Sequence, residues 1–191
     1  MKNLYRPVTV PYLEIIQHQL LDLLPIGYEE KEAPFAFNVD KETVAAKCPK
    51  LVDWIVNHSK VDVLHYRIYV TPPNTRLQPH IDGGGITPTV PFRLNIPITG
   101  TQGTRLVFFK TPFDNLKTEV PKSYLSSMHP VNYAMVRPID SLEVVSPHFV
   151  NTSVLHGVKN PTKNVRVMFV VTWLIDNTKY REIDEVFQID I

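Results

Sequence analysis

The chain has 191 residues, of which 43% are hydrophobic and 20% are charged, and its formal net charge is +1. This composition excludes a largely disordered chain, and the small net charge argues against nucleic acid or an anionic membrane as a partner. One cysteine permits no internal disulfide, and neither a signal peptide nor a membrane-spanning run is present. We therefore expect a soluble cytoplasmic protein.

Helical patterns are confined to residues 1–60. Apolar residues recur at spacings of three and four between Pro11 and Pro25, which predicts an amphipathic helix there. Asp40 is a candidate N-cap for a second helix, and Pro49 can occupy the first turn of a third.

Strand patterns begin at residue 61. Apolar and polar residues alternate in 61–70 and 92–98, and further strands are predicted at 104–110, 140–145, 153–158 and 165–174. The last run is almost continuously apolar, as is typical of a strand covered on both faces. The stretch 111–133 has three prolines and weak periodicity, which indicates a long excursion that can cover a site.

These elements predict a mainly β fold with flanking helices. The simplest organisation is a single domain over 1–191, with a helical flank at 1–60 and a β core at 61–176. Two helices packed on a double sheet or barrel of about eight strands would account for the pattern.

Three residues form a candidate metal site. His80 and Asp82 are two positions apart, so on a strand both side chains project to the same side, and three glycines follow at 83–85. His156 lies between valines on a later predicted strand. Two imidazoles and one carboxylate are a facial ligand set that suits Fe(II) and leaves coordination positions open. By itself a His-x-Asp tripeptide is weak, since chance gives roughly 0.4 of them in such a chain.

Two arginines interrupt apolar strands. Arg166 lies ten residues beyond His156, and Arg93 follows Phe92 in another predicted strand. A buried guanidinium normally requires an acidic partner, which is either a structural carboxylate or the carboxylate of a ligand. We predict that one of the two binds a cosubstrate; the alternative is that both face outward.

The sequence over 66–173 resembles the Fe(II)- and 2-oxoglutarate-dependent dioxygenases, specifically the aspartyl/asparaginyl β-hydroxylase-like branch. The resemblance is carried by residues 73–82, by 92–98 and by 156–166. It implies a double-stranded β-helix (a cupin-like jelly roll), a catalytic iron held by His80, Asp82 and His156, and the use of 2-oxoglutarate and O2.

The resemblance also implies roles for the arginines. Arg166 would bind the distal carboxylate of 2-oxoglutarate, and Arg93 would be a second cosubstrate or pocket contact. Asp82 is a departure, because the animal enzymes for which the branch is named lack the metal carboxylate. The chain therefore looks closer to bacterial or phage members with a full triad.

The implied reaction is hydroxylation of an unactivated C–H bond in an amino acid, free or within a peptide. One alternative is a cupin-like isomerase or hydrolase that does not use 2-oxoglutarate and needs no dedicated arginine; another is a non-catalytic binding module. Among the remaining histidines, His148 follows a proline and is predicted in a turn, whereas His65 faces either the interior or solvent.

Overall fold

The structure is a computed structural model, and it describes residues 4–82, 92–110, 128–130, 134, 136–173 and 183–188. The glycine run at 83–85 and most of the predicted excursion at 111–133 lie outside these residues. The described helices are α1 Leu13–Leu21, α2 Lys41–Lys47, α3 Pro49–His58 and α4 Ile183–Val186, with a 3-10 turn at Tyr28–Glu30.

The described strands form two antiparallel sheets. The strands are β1 Tyr5–Pro7, β2 Phe35–Val39, β3 Val63–Thr71, β4 Thr75–Asp82, β5 Phe92–Thr99, β6 Arg105–Lys110, β7 Met128–Pro130, β8 Arg137–Leu142, β9 His148–Asn151, β10 His156–Asn160 and β11 Arg166–Trp173. The larger sheet has the order β1-β9-β5-β11-β3-β2 and the smaller sheet has the order β7-β4-β10-β6-β8. The predicted mainly β fold is confirmed.

The central strand of the larger sheet, β11, is covered on both faces, as its continuous apolar run predicted. All eight of its residues are buried. Phe169 and Val171 belong to a core shared with the helices, whereas Met168 and Val170 belong to a second core shared with the smaller sheet. Successive side chains thus serve two separate layers.

The helices cover the outer face of the larger sheet. Ile16 and Leu20 of α1 and Leu51 of α3 are fully buried in the same core as Phe169. The Asp40 carboxylate accepts a hydrogen bond from the Thr43 backbone N–H at 2.7 Å, which confirms the predicted N-cap of α2.

The segment 1–60 is not purely helical, which corrects the predicted flank. β1 and β2 lie in it, and they pair with β9 and β3 at the edges of the larger sheet. Both strands are short, with three and five residues, so alternation has too few repeats to be visible in the sequence. His148 is likewise in strand β9 and buried, not in a turn.

Gly100 fixes the start of β11 against the turn that follows β5. Its φ is +63°, and a Cβ at this position would lie 1.8 Å from the Val165 carbonyl oxygen. Only glycine permits so close an approach with that backbone conformation. The turn can therefore pack directly against the backbone that leads into Arg166.

Candidate metal centre

His80, Asp82 and His156 converge as the sequence predicted. His80 and Asp82 lie at the end of β4, and His156 begins β10 directly opposite His80 in the sheet register. The His80 Nε2 lies 3.8 Å from Asp82 Oδ1, and the His156 Nε2 lies 3.6 Å from Asp82 Oδ2. One potential ligand atom from each residue lies within 4.8 Å of the others, and all three side chains are buried.

Backbone carbonyls set the direction of both imidazoles. The His80 Nδ1 donates to the Gln78 carbonyl at 2.7 Å, and the His156 Nδ1 donates to the Val154 carbonyl at 2.8 Å. Each Nε2 therefore keeps its lone pair and points to the shared space. Burial lowers the pKa of His156 to about 4, with the neighbouring His80 adding to the effect, and burial also lowers the pKa of His80.

The donor set fits a divalent metal. Two neutral imidazole nitrogens and one carboxylate on a single side of the space are the arrangement that non-haem Fe(II) oxygenases use. Because the imidazoles are neutral at pH 7, no proton has to leave them before a metal binds.

Arg93 is bonded to one of the candidate ligands. Its Nη1 lies 3.0 Å from Asp82 Oδ2 and donates to the Tyr69 hydroxyl at 2.9 Å. Burial opposes the charged form of this guanidinium, but the Asp82 carboxylate and Tyr69 raise its pKa above the ordinary value. Arg93 thus has the structural carboxylate that was one alternative for a buried arginine. Its contact with a cosubstrate stays a prediction.

Arg166 is different. It is 3% exposed at the start of β11, opposite Thr71 of β3. Within the part of the chain that the structure describes, it has neither an acidic partner nor a side-chain hydrogen bond. Burial alone lowers its pKa to about 10. This guanidinium remains charged at pH 7, and no acidic side chain among the described residues neutralises it.

One pocket between the two sheets contains all five predicted residues. Its empty space is about 500 Å³, which includes open solvent at the mouth. The smaller sheet supplies His80, Asp82 and His156, and the larger sheet supplies Arg93 and Arg166. Much of the remaining wall is apolar and comes from both sheets: Leu77, Leu106, Val150, Val158, Met168 and Val170.

Several residues around the site were not predicted. The carbonyls that orient the imidazoles belong to Gln78 and Val154, and backbone groups leave no trace in residue type. Nearby asparagines bond to other groups: Asn160 donates to the Thr71 and Pro72 carbonyls, and Asn151 accepts from Ser153.

Comparison with known proteins places the fold. No family model matches the chain, and no curated protein matches it. Among solved structures, the non-heme alpha-ketoglutarate-dependent carbocyclase SnoK from nogalamycin biosynthesis is 12% identical, with a TM-score of 0.51 over 89% of this chain and 78% of that one. E. coli ycfD is 14% identical, with a TM-score of 0.42 over 78% of this chain and 36% of that one.

A third structure is an uncharacterised protein with a double-stranded beta-helix domain from Klebsiella pneumoniae, which is 10% identical with a TM-score of 0.36 over 75% of this chain and 79% of that one. At these identities the likeness shows the fold alone. With its two antiparallel sheets, the fold is a double-stranded β-helix (jelly roll), as predicted. None of the described helices is long and apolar enough to cross a membrane.

Proposed function

We propose that the protein is an Fe(II)- and 2-oxoglutarate-dependent oxygenase that hydroxylates an unactivated C–H bond of an amino acid, free or within a peptide. The observation that carries this proposal is Arg166. It is a buried cation without an acidic partner among the described residues, and it lines the same pocket as the three candidate metal ligands. Burying an unpaired charge costs several kcal/mol, so a ligand carboxylate is the natural counterpart.

Each residue has a distinct task in this proposal. His80, Asp82 and His156 would hold the iron on one side, so that three coordination positions remain for other ligands. Arg166 would bind the distal carboxylate of 2-oxoglutarate through two parallel hydrogen bonds. Arg93 would keep the Asp82 carboxylate in place through its 3.0 Å contact. When bound, Fe(II) and 2-oxoglutarate together supply the activation of O2 that hydroxylation requires.

Two further points support the proposal. SnoK, an alpha-ketoglutarate (2-oxoglutarate) dependent carbocyclase, shares the fold at a TM-score of 0.51. Apolar walls such as Leu77, Leu106 and Val158 keep the pocket poor in water, which protects a reactive centre from side reactions. The choice of an amino acid or peptide as substrate rests on the resemblance noted in the sequence.

The test is spectroscopic and anaerobic. Wild-type protein is mixed with Fe(II) and titrated with 2-oxoglutarate, and the visible metal-to-ligand charge-transfer band is followed. We expect a saturable band that requires both components. Asp82→Ala should show no band, and Arg166→Met should need roughly 30-fold or more 2-oxoglutarate, since truncating one partner of a buried charge pair costs about 2–5 kcal/mol.

Arg105→Met is the matched control, because Arg105 is an exposed arginine on β6 whose Nη1 donates to Ser141. It should titrate like the wild type. Absence of the band in wild-type protein contradicts the proposal. A wild-type band with unchanged 2-oxoglutarate affinity in Arg166→Met removes Arg166 as the cosubstrate residue. A metal-loaded protein that ignores 2-oxoglutarate favours the cupin-like alternative.

A further inference from the structure

Three polar side chains stand in one row across the larger sheet. Thr172 of β11 is the register partner of His65 on β3 and of Arg93 on β5. Arg93 lines the pocket directly. By the period-two alternation of strands, Thr172 shares the face of Met168, and His65 shares the face of Tyr69, both of which line the pocket. We call these three residues the polar row.

Every member of the polar row has an unpaired polar atom. The His65 Nε2, Thr172 Oγ1 and Arg93 Nε are buried and have no hydrogen-bond partner in the described part of the chain. Thr172 is 0% exposed and Arg93 is 5% exposed. Five such atoms occur among the described residues, and three of them belong to this row. Unpaired buried polar groups destabilise a fold, so three adjacent ones indicate a site that a ligand completes.

The polar row is separate from the place where Arg166 would act. Thr172 lies six positions beyond Arg166 on the same strand, which is about 20 Å along the backbone at the rise of a β-strand. The row adjoins the metal ligands from its own side, because Arg93 bonds Asp82. A cosubstrate held between the metal and Arg166 therefore leaves the row unfilled.

Arg67 and Arg93 outnumber Asp82, the one carboxylate among the described residues that acts on His65, so the net charge around the row is positive. Arg67, two residues from His65 on the same face of β3, donates to Asn38 and Tyr69 but has no acidic partner among the described residues. Burial, with the cations of Arg67 and Arg93 adding to it, lowers the pKa of His65 to about 4. The Nη1 of Arg93 already contacts Asp82, whereas its Nε–H has no acceptor among the described residues and can donate to a ligand.

We propose that the polar row is the substrate subsite and that it binds a carboxylate of the substrate through Arg93 Nε–H, the Thr172 hydroxyl and His65. This inference rests on the proposed function. A carboxylate accepts several hydrogen bonds at once and also offsets the positive charge. A neutral amide or hydroxyl would accept hydrogen bonds but would not offset the charge. His65 and Thr172 then determine specificity and do not bind the metal.

The test uses the iron-loaded enzyme with 2-oxoglutarate and O2, and it measures succinate formation. The probes are the common L-amino acids, each beside its carboxamide, and short peptides that contain Asp or Glu beside the same peptides with Asn or Gln. We expect the consumed compounds to carry a carboxylate, and their amide counterparts to need roughly tenfold or higher concentration, since hydrogen bonds to charged groups are the stronger ones.

Two variants test the row itself. Thr172→Val and His65→Leu should each raise the KM for the consumed carboxylate about tenfold, while the 2-oxoglutarate titration of the anaerobic charge-transfer band stays as in the wild type. The control is Thr104→Val, because Thr104 is a buried threonine whose hydroxyl already donates to the Thr101 carbonyl at 2.6 Å. It should lower Tm and leave KM unchanged, whereas Thr172→Val, which removes an unpaired hydroxyl, should not lower Tm.

The outcomes separate the two ideas. No band in the wild type contradicts the proposed function and this inference with it. Three results, each with a normal band in the wild type, would contradict carboxylate binding by the polar row and leave the proposed function standing. They are amides that are consumed as well as the acids, no consumption of any carboxylate, and an unchanged KM in both variants. A Thr172→Val protein as unstable as Thr104→Val would show that the hydroxyl is structural, which also contradicts carboxylate binding by the row.

Discussion

The two faces of the larger sheet differ in whether their buried side chains have partners within the described part of the protein. On the helix side of β11, Phe169 is fully buried among apolar neighbours, and its ring stacks on Tyr66 with centroids 5.7 Å apart. On the side toward the smaller sheet, Arg166 and Thr172 are just as buried but have no partner among the described residues. The described residues complete the first face themselves, and we propose that a ligand completes the second.

The largest expected effect tests the helix face. Phe169→Ala should lower the free energy of unfolding by about 3–5 kcal/mol, because it removes a buried ring and leaves a cavity. Met168→Leu, on the neighbouring residue of the inner face, should cost less than about 1.5 kcal/mol. Urea denaturation measures both. Similar losses for the two variants would mean that the faces do not differ as described.

Arg166→Met tests the inner face in the opposite direction. Replacing a buried, unpaired guanidinium by an apolar side chain of similar length should leave the stability of the ligand-free protein unchanged or raise it. In the wild type, Fe(II) with 2-oxoglutarate at about 100 times its Kd should add about 2.7 kcal/mol. At the same 2-oxoglutarate concentration the variant, with roughly 30-fold weaker binding, should keep less than about 1 kcal/mol of that gain.

Thermal unfolding with and without the ligands measures the Arg166→Met prediction, and Arg105→Met is again the control. A variant that is strongly destabilised without ligands would show that Arg166 has a structural partner in the free protein. The difference between the two faces would then not hold for Arg166.

Alternation in the sequence predicted which side chains of β5 lie on each face of the larger sheet. Alternation in 92–98 placed Phe92, Leu94 and Ile96 together, and all three lie in the core shared with the helices. The same alternation put Arg93 and Asn95 on the other side, where both line the pocket. Strands β1 and β2 were not predicted, because segments of three and five residues show too little periodicity. They are defined by pairing with strands that are distant in sequence.

The site was predictable where side-chain chemistry is unusual. His80, Asp82, His156 and Arg166 are residue types that a strand buries only for a reason, and the structure brings all four to one pocket. What could not be predicted depends on pairing between distant strands. The bond of Arg93 to Asp82 is one case, and the alignment of His65 with Thr172 is another.

The pH dependence of stability provides a smaller test of the inner face. Burial lowers the pKa of His65 to about 4, whereas in the unfolded chain it titrates near its ordinary value of 6.5. Between these two pH values the imidazole is protonated in the unfolded state but not in the folded state. The contribution of His65 to the free energy of unfolding is therefore largest above pH 6.5 and decreases as the pH falls toward 4. Since His65 is only partly buried, we expect roughly 1 kcal/mol between pH 7 and pH 5.

His80 and His156 shift in the same direction, so the contribution of His65 has to be isolated by difference. Urea denaturation of the metal-free protein at pH 7 and pH 5 should show a smaller loss in His65→Leu than in the wild type. An equal loss in both proteins would mean that this imidazole is solvated and does not belong to the buried inner face.

The smallest expected effect compares two tyrosines on one strand. Tyr66 points to the helices and contributes its ring, whereas Tyr69 points to the pocket and its hydroxyl accepts from Arg93 at 2.9 Å and from Arg67 at 3.3 Å. Tyr66→Phe keeps the ring and should change stability by less than about 0.5 kcal/mol. Tyr69→Phe removes the acceptor between two cations and should cost about 1 kcal/mol. A larger loss of unfolding free energy in Tyr66→Phe than in Tyr69→Phe, measured by urea denaturation, would contradict this prediction. It would mean that hydrogen bonds between polar side chains do not stabilise the inner face.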